Sequence, residues 1–282
     1  MSSRLIGAQI NSGDMILKVC SGQQKHIITT SQIPIMMIKS KVAIVTGASS
    51  GIGYATAMAL SKAGVKVAAG ARRTDKLDSL NRDIEKNGGE VLIQRLDVTK
   101  RANCASFVDA VVKKWGTVDI LVNNAGLMPL SFFKSFKIDE WDQMIDVNIK
   151  GVLYCTAAAI PHMLDKKSGH IVNISSVAGR VVFPAGSVYC ATKHAVTALS
   201  EGLRQEFSQR ANIRVTCIEP GVVMTELTST ITDKGLEKFV EATKQMEALH
   251  AEDIANAILF AVNSPAHMNV NEILVRPTSQ ER

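Results

Sequence analysis

From Lys41 onward the chain alternates short apolar segments with amphipathic ones, and this alternation constrains the fold more than any other feature. Seven apolar segments are predicted to be buried strands, among them KVAIVTG (41–47), VKVAAGA (65–71) and VDILVNNAG (118–126). Most are separated by segments with helical periodicity, such as residues 75–89. Apolar strands joined through helices predict a parallel sheet covered on both faces. With right-handed crossovers this is an α/β, doubly wound, Rossmann-type seven-stranded sheet that binds ligands at the carboxyl ends of its strands.

Residues 1–40 are different in character, being rich in Ser, Gln, Thr and Ile without the continuous apolar run of a secretory signal. The segments MILKVC (15–20) and KHIITT (25–30) could pair as a hairpin. A loosely ordered extension is the interpretation that we favour. No linker-like segment interrupts the remainder. We therefore predict an amino-terminal extension over residues 1–40 and a single domain over residues 41–282.

Composition excludes several functional classes. Half of the formal net charge of +6 lies in the extension, and the domain is only mildly basic with no long Lys/Arg run, which argues against a nucleic-acid partner. No apolar run reaches the roughly 18 to 20 residues that a membrane span requires. The five cysteines are scattered and the six histidines lack metal-ligand spacing, so we expect reduced thiols, a cytoplasmic location and no metal.

The first predicted strand-to-helix turn, TGASSGIG (46–53), is rich in glycine. Glycines at these positions let the backbone approach a phosphate closely, and the new helix offers free N–H groups to an anion. The spacing is G-x-x-x-G-x-G, so the usual dinucleotide fingerprint does not strictly apply. We nevertheless predict nucleotide contacts in this turn from Gly47, Ser49, Ser50, Gly51, Ile52 and Gly53.

The same letters also match G-x-S-x-G, the nucleophile elbow of serine hydrolases. Ser49 would then be the nucleophile and would need a histidine downstream, for which the sequence offers His250 and His267. The elbow would have to follow the first strand of the domain, and no preceding strand would supply an oxyanion loop. The hydrolase remains the alternative from a different class.

The end of the second predicted strand reads GARRTDK (70–76) and bears on the choice of cofactor. An acidic residue there would bind the ribose 2′-hydroxyl of NAD, whereas arginine suits the 2′-phosphate of NADP. Arg72 and Arg73 occupy this position, so the sequence favours NADP.

The ordered set of motifs resembles the short-chain dehydrogenase/reductase family over residues 41–277. The motifs are TGASSGIG (46–53), LDV (96–98), NNAG (123–126), DVNIKG (146–151), NISSVAG (173–179), YCATK (189–193) and PG (220–221). The resemblance implies that Asp97 and Val98 flank the adenine and that Asn123 both lines the cofactor and stabilises the sheet. Further cofactor contacts implied by the resemblance are Ala125, Gly126, Tyr189, Lys193, Pro220, Gly221, Val223 and Thr225.

The chemistry of an alcohol–carbonyl interconversion suits four of these motif residues. Tyr189 is the expected proton donor and acceptor, and Lys193, one helical turn away, is expected to lower the tyrosine pKa. Ser176 is expected to hydrogen-bond the developing oxyanion, with Ser175 as the neighbour that could be confused with it. Asn148 resembles the fourth family member, which positions a water in a proton relay.

The substrate is less constrained. Candidate lining residues are Leu127, Met128, Val182, Phe183, Val223 and Met224, beneath a helical lid over residues 225–249. Arg180 could meet a substrate carboxylate. The carboxyl-terminal sequence resembles NADP-dependent 3-hydroxy acid (serine-type) dehydrogenases, which implies a small 3-hydroxy acid or related alcohol as substrate. A 3-oxoacyl thioester or broad carbonyl reductase, and a non-catalytic NADPH sensor, are alternatives, and the family resemblance implies a homotetramer.

Overall fold

The computed structural model describes residues 4–11, 14–21, 24–29 and 38–281. Within the amino-terminal extension three strands, β1 (Arg4–Asn11), β2 (Asp14–Ser21) and β3 (Gln24–Thr29), form an antiparallel sheet in that order. The pairing of β2 with β3 is the hairpin that the sequence left open for residues 15–30. The other residues before position 38 lie outside the described residues, and the loose order of the extension stays a prediction.

The chain forms two compact units, Met1–Met37 and Ile38–Arg282. Ile38 is buried in the hydrophobic core of the second unit. The sequence boundary at residue 40 therefore falls just inside that unit.

The second unit contains a parallel sheet of seven strands, which confirms the predicted fold class. Its strands are β4 (Val42–Thr46), β5 (Lys66–Ala71), β6 (Val91–Arg95), β7 (Ile120–Asn123), β8 (Gly169–Ile174), β9 (Ile213–Pro220) and β10 (Glu272–Val275). Their order is β10-β9-β8-β7-β4-β5-β6, and every neighbouring pair is parallel. The order reverses between β4 and β7, so the crossovers to β5 and to β7 leave a crevice at the carboxyl ends of these two strands.

Helices cover both faces of the sheet. They are α1 (Gly51–Lys62), α2 (Thr74–Lys86), α3 (Arg101–Trp115), α4 (Ile138–Ile145), α5 (Gly151–Asp165), α6 (Ser187–Ala211), α7 (Glu237–Gln245) and α8 (Ala251–Asn263). Core residues of α1, α2 and α8 pack on one face, and those of α3, α5 and α6 pack on the other. Among the described residues no helix is both long and apolar enough to span a membrane.

Strand β4 shows why its sequence is apolar throughout. Ala43 and Val45 join the core on the α1 face, whereas Val42 and Ile44 join the core on the α3 face. Side chains of a strand point alternately to the two faces, so a strand covered on both sides needs apolar residues at every position.

The helical stretch between β7 and β8 is interrupted. Between α4 and α5 the segment Asp146–Lys150 forms one π-helical turn, with Asn148 at its centre. An apolar periodicity near 3.6 residues does not distinguish an α-helix from one that contains such a turn, and π-turns are frequent at functional sites.

At the amino-terminal edge of the sheet, turns after α2 and α3 contain Gly88 and Gly116 with φ of +73° and +79°. A β-carbon at either position would meet no atom within 4 Å. These two glycines serve chain reversal alone.

Candidate active site

The Gly-rich turn lies between β4 and α1 and brings two stretches of backbone unusually close. A β-carbon on Gly53 would lie 2.4 Å from the Gly47 carbonyl oxygen, and one on Gly47 would lie 2.8 Å from Ala125 Cα. Only glycine fits at both positions. Ser50 occupies the N-cap of α1 without a side-chain bond to the helix, and the first turn holds no acid. The N–H groups that begin α1 are therefore available to an anion, which fits the pyrophosphate of a dinucleotide.

Thr46 and Asn124 fasten this turn to the end of β7, and the sequence analysis singled out neither. The Thr46 hydroxyl accepts hydrogen bonds from the backbone N–H groups of Asn124 and Ala125, each at 3.0 Å. Asn124 Nδ2 donates to the carbonyl oxygens of Thr46 and Gly47 at 2.9 and 3.2 Å. The second asparagine of NNAG, Asn124, is therefore the one that fixes the Gly-rich turn. Its place in the NNAG motif is the feature of the sequence that could have identified it.

Asn123, the first asparagine of that motif, is buried beneath the site. Its Nδ2 donates to Asn173 Oδ1 at 2.9 Å and to Thr156 Oγ1 at 3.0 Å. These bonds tie β7 to β8 and α5, which corresponds to the sheet-stabilising half of its expected role. Ala125 and Gly126 follow at the carboxyl end of β7, and Gly126 is exposed.

Arg72 and Arg73 begin the loop after β5 and are both exposed, but their surroundings differ. Arg73 donates to the hydroxyl oxygens of Ser49 and Ser50 at 3.0 and 2.7 Å. Its Nη1 also lies 2.8 Å from an oxygen of Glu226, a residue that the sequence analysis did not identify.

Asp97 and Val98 lie past the end of β6. Burial pushes the pKa of Asp97 upward, but hydrogen bonds from Thr99 and the charge of Arg72 outweigh it and hold the pKa below its usual value. Val98 is buried against α5, where a β-carbon on Gly151 would approach its Cγ2 to 2.7 Å. The contact of Val98 with an adenine stays a prediction.

Asn148 links the π-turn to the end of β7. Its Nδ2 donates to the Leu127 carbonyl at 3.0 Å and its Oδ1 accepts from the Leu127 N–H at 3.0 Å. Nδ2 also donates to Thr192 Oγ1 at 3.1 Å, and Thr192 in turn bonds the Tyr189 carbonyl. The side chain of Asn148 thus joins the loop after β7 to α6, which carries Tyr189.

Ser176 and Ser175 have separate tasks. Ser176 caps a short 3₁₀ turn, Val177–Gly179, by accepting from the Ala178 N–H at 3.1 Å, and it hydrogen-bonds Tyr189. Ser175 is buried and its hydroxyl donates to the Lys193 carbonyl at 3.0 Å. Of the two serines, Ser176 is the one whose hydroxyl affects the tyrosine, because it acts to lower the pKa of Tyr189.

Tyr189 and Lys193 lie one turn apart on α6, and both are buried. The Lys193 Nζ lies 5.8 Å from the centre of the Tyr189 ring and donates to the Ile174 carbonyl at 2.9 Å. An ammonium group has three donors, so this geometry leaves N–H groups for a ribose hydroxyl or a water.

The expected lowering of the tyrosine pKa is wrong for the protein without a cofactor. Burial raises the pKa of Tyr189 to about 12, more than the hydrogen bond with Ser176 lowers it. Burial also lowers the pKa of Lys193 to about 8. Desolvation disfavours the charged form of each group, and at this separation it outweighs the attraction between them.

The turn at Pro220 and Gly221 ends β9 and begins the segment that the sequence predicted as a lid. The Pro220 carbonyl accepts from the Ser176 hydroxyl at 3.3 Å. Val223 forms a parallel bridge with Leu249, which closes the base of the segment. Thr225 lies against the Gly-rich turn, as its Cγ2 would be only 3.0 Å from a β-carbon built on Gly51.

The expected substrate-lining residues separate into three groups. Leu127, Met128 and Phe183 pack against the apolar cluster that contains Tyr189. Val223 packs instead with the core on the α1 face. Val182 and Met224 are largely exposed, at 75% and 64%.

Arg180 is already engaged within the protein. Its Nε lies 2.8 and 2.9 Å from the two oxygens of the buried Glu219, and its Nη2 pairs with Glu272. The protein's own carboxylates thus hold Arg180, and its role as a partner for a substrate carboxylate stays a prediction.

The hydrolase alternative finds no support in the geometry. The Ser49 hydroxyl accepts from the Arg73 guanidinium, and no hydrogen bond joins it to an imidazole within the described chain. His250 forms a capping box with Asp253 at the start of α8.

Across residues 38–281 no group of three or more potential ligand side chains is placed to hold a metal ion.

Comparison with known proteins agrees with the fold. The family model described as short chain dehydrogenase matches residues 41–235. An uncharacterised oxidoreductase of Staphylococcus saprophyticus is 48% identical over 244 residues, which cover 86% of this chain and 98% of that protein. The chain therefore belongs to the short-chain dehydrogenase family, and it is an oxidoreductase.

Solved structures of similar proteins include complexes with NADP⁺ and complexes with NAD. The closed form of serine dehydrogenase complexed with NADP⁺ superposes with a TM-score of 0.79 at 36% identity, covering 86% of this chain and 96% of that one. A short-chain dehydrogenase/reductase from Burkholderia phymatum in complex with NAD superposes with a TM-score of 0.77 at 27% identity, covering 84% and 89%.

Proposed function

We propose that the protein is an NADP(H)-dependent oxidoreductase that interconverts a secondary alcohol and its carbonyl compound. The observation that carries the proposal is the convergence of Tyr189, Ser176, Lys193 and Asn148 beside a Gly-rich turn with uncapped helix N–H groups. The nicotinamide cofactor supplies or accepts the hydride. The protein has to position the substrate oxygen and exchange a proton with it.

The residues divide this work. The Tyr189 hydroxyl, neutral because of burial, donates its proton to the carbonyl oxygen during reduction. The Ser176 hydroxyl, oriented by the 3₁₀ turn that it caps, hydrogen-bonds the same oxygen. Lys193 holds the cofactor ribose and stabilises the tyrosinate that remains. Asn148, held at both ends of its amide, fixes the relay through which the proton is replaced.

NADP is the proposed cofactor because Arg72 and Arg73 follow the end of β5 and their guanidinium groups suit a 2′-phosphate, and because serine dehydrogenase, a structural neighbour, was solved in complex with NADP⁺. The contacts proposed for the cofactor are those predicted from the sequence, including Ile52, Pro220, Gly221 and Thr225. The NAD-bound neighbour makes the cofactor preference a quantity to measure.

The proposed substrate is a small 3-hydroxy acid or a related neutral alcohol. Resemblance to serine dehydrogenase supports the acid, whereas the pairing of Arg180 with Glu219 and Glu272 removes one cation that could have bound it. A 3-hydroxy acid and its methyl ester, compared under identical conditions, distinguish the two. A higher kcat/KM for the acid would support an acid-specific site.

The test of the proposed function is turnover of a carbonyl panel with NADPH by wild type and Tyr189→Phe. Because the phenol supplies the proton, the variant is expected to lose at least about a hundredfold in kcat while still binding NADPH. Tyr154→Phe, which removes a hydroxyl from α5, is the matched control and should keep its activity. Retention of more than a few per cent of kcat in Tyr189→Phe would contradict the role of Tyr189. NADPH binding without turnover of any carbonyl by wild type would favour the sensor alternative.

A cytoplasmic homotetramer completes the proposal. The described cysteines, Cys104, Cys155, Cys190 and Cys217, are free thiols, which suits a reducing compartment. On α5, Leu153 and Leu164 expose apolar surface that a second copy could cover. Light scattering coupled to size-exclusion chromatography tests the tetramer directly.

A further inference from the structure

A carboxylate of the chain itself is bound to one of the two arginines proposed for the NADP phosphate. Arg73 Nη1 lies 2.8 Å from Glu226 Oε2, while its Nη2 donates to Ser50 Oγ at 2.7 Å and Ser49 Oγ at 3.0 Å. Arg73 thereby connects the Gly-rich turn to the segment that follows Gly221. This contact spans the mouth of the expected cofactor cleft.

The surroundings of Glu226 are those that a phosphate group would use. Its carboxylate takes hydrogen bonds from the Arg73 guanidinium and the Ser50 hydroxyl, and Lys76 adds a further positive charge. These interactions hold the pKa of Glu226 below its usual value, so the group is anionic at neutral pH. A phosphate binds to the same combination of guanidinium and hydroxyl donors.

Arg72 is not occupied in this way. It is exposed at the end of β5, and its charge acts on Asp97 rather than on Glu226. The two adjacent arginines therefore differ in what an incoming phosphate must displace.

We propose that Glu226 is a specificity-determining residue that competes with the 2′-phosphate of NADP for Arg73 and so weakens the preference for NADP over NAD. This inference rests on the proposed function. The 2′-hydroxyl of NAD carries no charge that could displace a carboxylate, so the Arg73–Glu226 pair persists when NAD binds. The 2′-phosphate of NADP takes the guanidinium, and the displaced carboxylate then lies close to a dianion and repels it.

The test compares wild type with Glu226→Gln, which keeps the size of the side chain and removes its charge. Binding of NADPH and of NADH is measured by fluorescence titration. We expect the Kd for NADPH to fall about threefold to tenfold, as for the loss of a partly exposed charge interaction, and the Kd for NADH to change less than about twofold. Glu206→Gln, the same charge change at an exposed position of α6, should leave both constants unchanged.

Two further measurements make the proposal specific. The gain for NADPH should shrink as ionic strength rises, because the interaction lies near solvent. In an Arg73→Gln background the Glu226→Gln substitution should change the Kd for NADPH little, because the guanidinium for which Glu226 and the 2′-phosphate compete is no longer present.

Three outcomes would overturn the inference. Equal weakening of NADPH and NADH binding in Glu226→Gln would show that Glu226 closes over either cofactor instead of competing with a phosphate. Unchanged Kd values for both cofactors would show that Glu226 neither closes over the cofactor nor competes with the phosphate. If wild type binds NADH but not NADPH, the proposed NADP dependence fails first, and the inference fails with it.

Discussion

Tyr189 and Lys193 have pKa values displaced in opposite directions by the same cause. Burial disfavours the phenolate of the tyrosine and the ammonium of the lysine, so it raises the pKa of Tyr189 to about 12 and lowers the pKa of Lys193 to about 8. In the proposed mechanism the proton donor for carbonyl reduction is Tyr189, which is protonated at neutral pH. The proposed reverse reaction uses a charged Lys193, which requires a pH below its pKa of about 8.

A pH-dependent stability follows from Lys193. Above about pH 8 the folded protein has lost this proton, whereas the unfolded lysine retains it up to its ordinary pKa of 10.5. Within that window the unfolded state binds more protons, so the free energy of unfolding of wild type should rise with pH relative to Lys193→Met. The slope of the difference is at most about 1.4 kcal/mol per pH unit.

Denaturant unfolding of both proteins without cofactor, from about pH 7 to pH 10, measures this difference. A difference that stays constant across the range would show that Lys193 is not desolvated in the folded protein.

At this scale the sequence was a good guide to residue types and a poor one to their partners. The fit to S-V-A-G favours Ser176 over Ser175, and of the two serines it is Ser176 that acts on the pKa of Tyr189, while its role toward the substrate stays a prediction. The Arg73–Glu226 pair was not foreseeable, because it joins positions far apart in sequence through loops whose course no periodicity describes. The pKa direction of Tyr189 required the degree of burial, which spacing does not provide.

At the scale of elements, the π-turn between α4 and α5 positions Asn148. A single turn with one extra residue rotates the following helix relative to the preceding one, so both α4 and α5 keep an apolar face toward the protein. The amide of Asn148 bonds both backbone groups of Leu127, and this holds the turn against β7. The strands and helices themselves were predictable because their apolar patterns are strong, whereas a one-residue change of helical period leaves almost no trace in the pattern.

The contact between Arg180 and Glu219 provides a test of how β9 is held. Glu219 is 1% exposed, so replacing Arg180 by Met leaves a buried carboxylate without its guanidinium partner. The loss in unfolding free energy should be about 2 kcal/mol, below the usual 3 to 5 for a buried pair because Arg180 is itself 37% exposed. Adding Glu219→Gln should restore part of this loss, since a neutral amide is less costly to bury.

Chemical denaturation of the single and double variants checks this prediction. Arg204→Met, which breaks the exposed Arg204–Glu201 pair on α6, is the control and should change stability little. A double variant less stable than Arg180→Met would contradict the explanation.

At the scale of the whole molecule, the sheet and its two cores are contained within residues 38–281. We therefore expect a protein truncated before Ile38 to fold and to retain wild-type kcat and KM for the carbonyl that it reduces. Ile38 is buried, so a truncation that also removes residues 38–41 should lower the melting temperature. Steady-state kinetics and thermal unfolding of the two truncated proteins measure this, and loss of activity in the first would assign the extension a part in the site.

The overall architecture was the most predictable level, because seven apolar segments alternating with helices admit few topologies. The extension was the least predictable. Its strands mix apolar and polar residues without an amphipathic pattern strong enough to choose between a hairpin and an unpaired chain, and the paired arrangement emerges only in the structure.

The turns at Gly88 and Gly116 lie at the edge of the sheet opposite the Gly-rich turn and Tyr189. A strand of five residues separates the two edges by roughly 17 Å. An affinity tag or fluorophore inserted at either turn would have open space around it and would stand away from the cleft. Such an attachment would immobilise the enzyme with its cleft facing solution, ready for surface-based binding measurements.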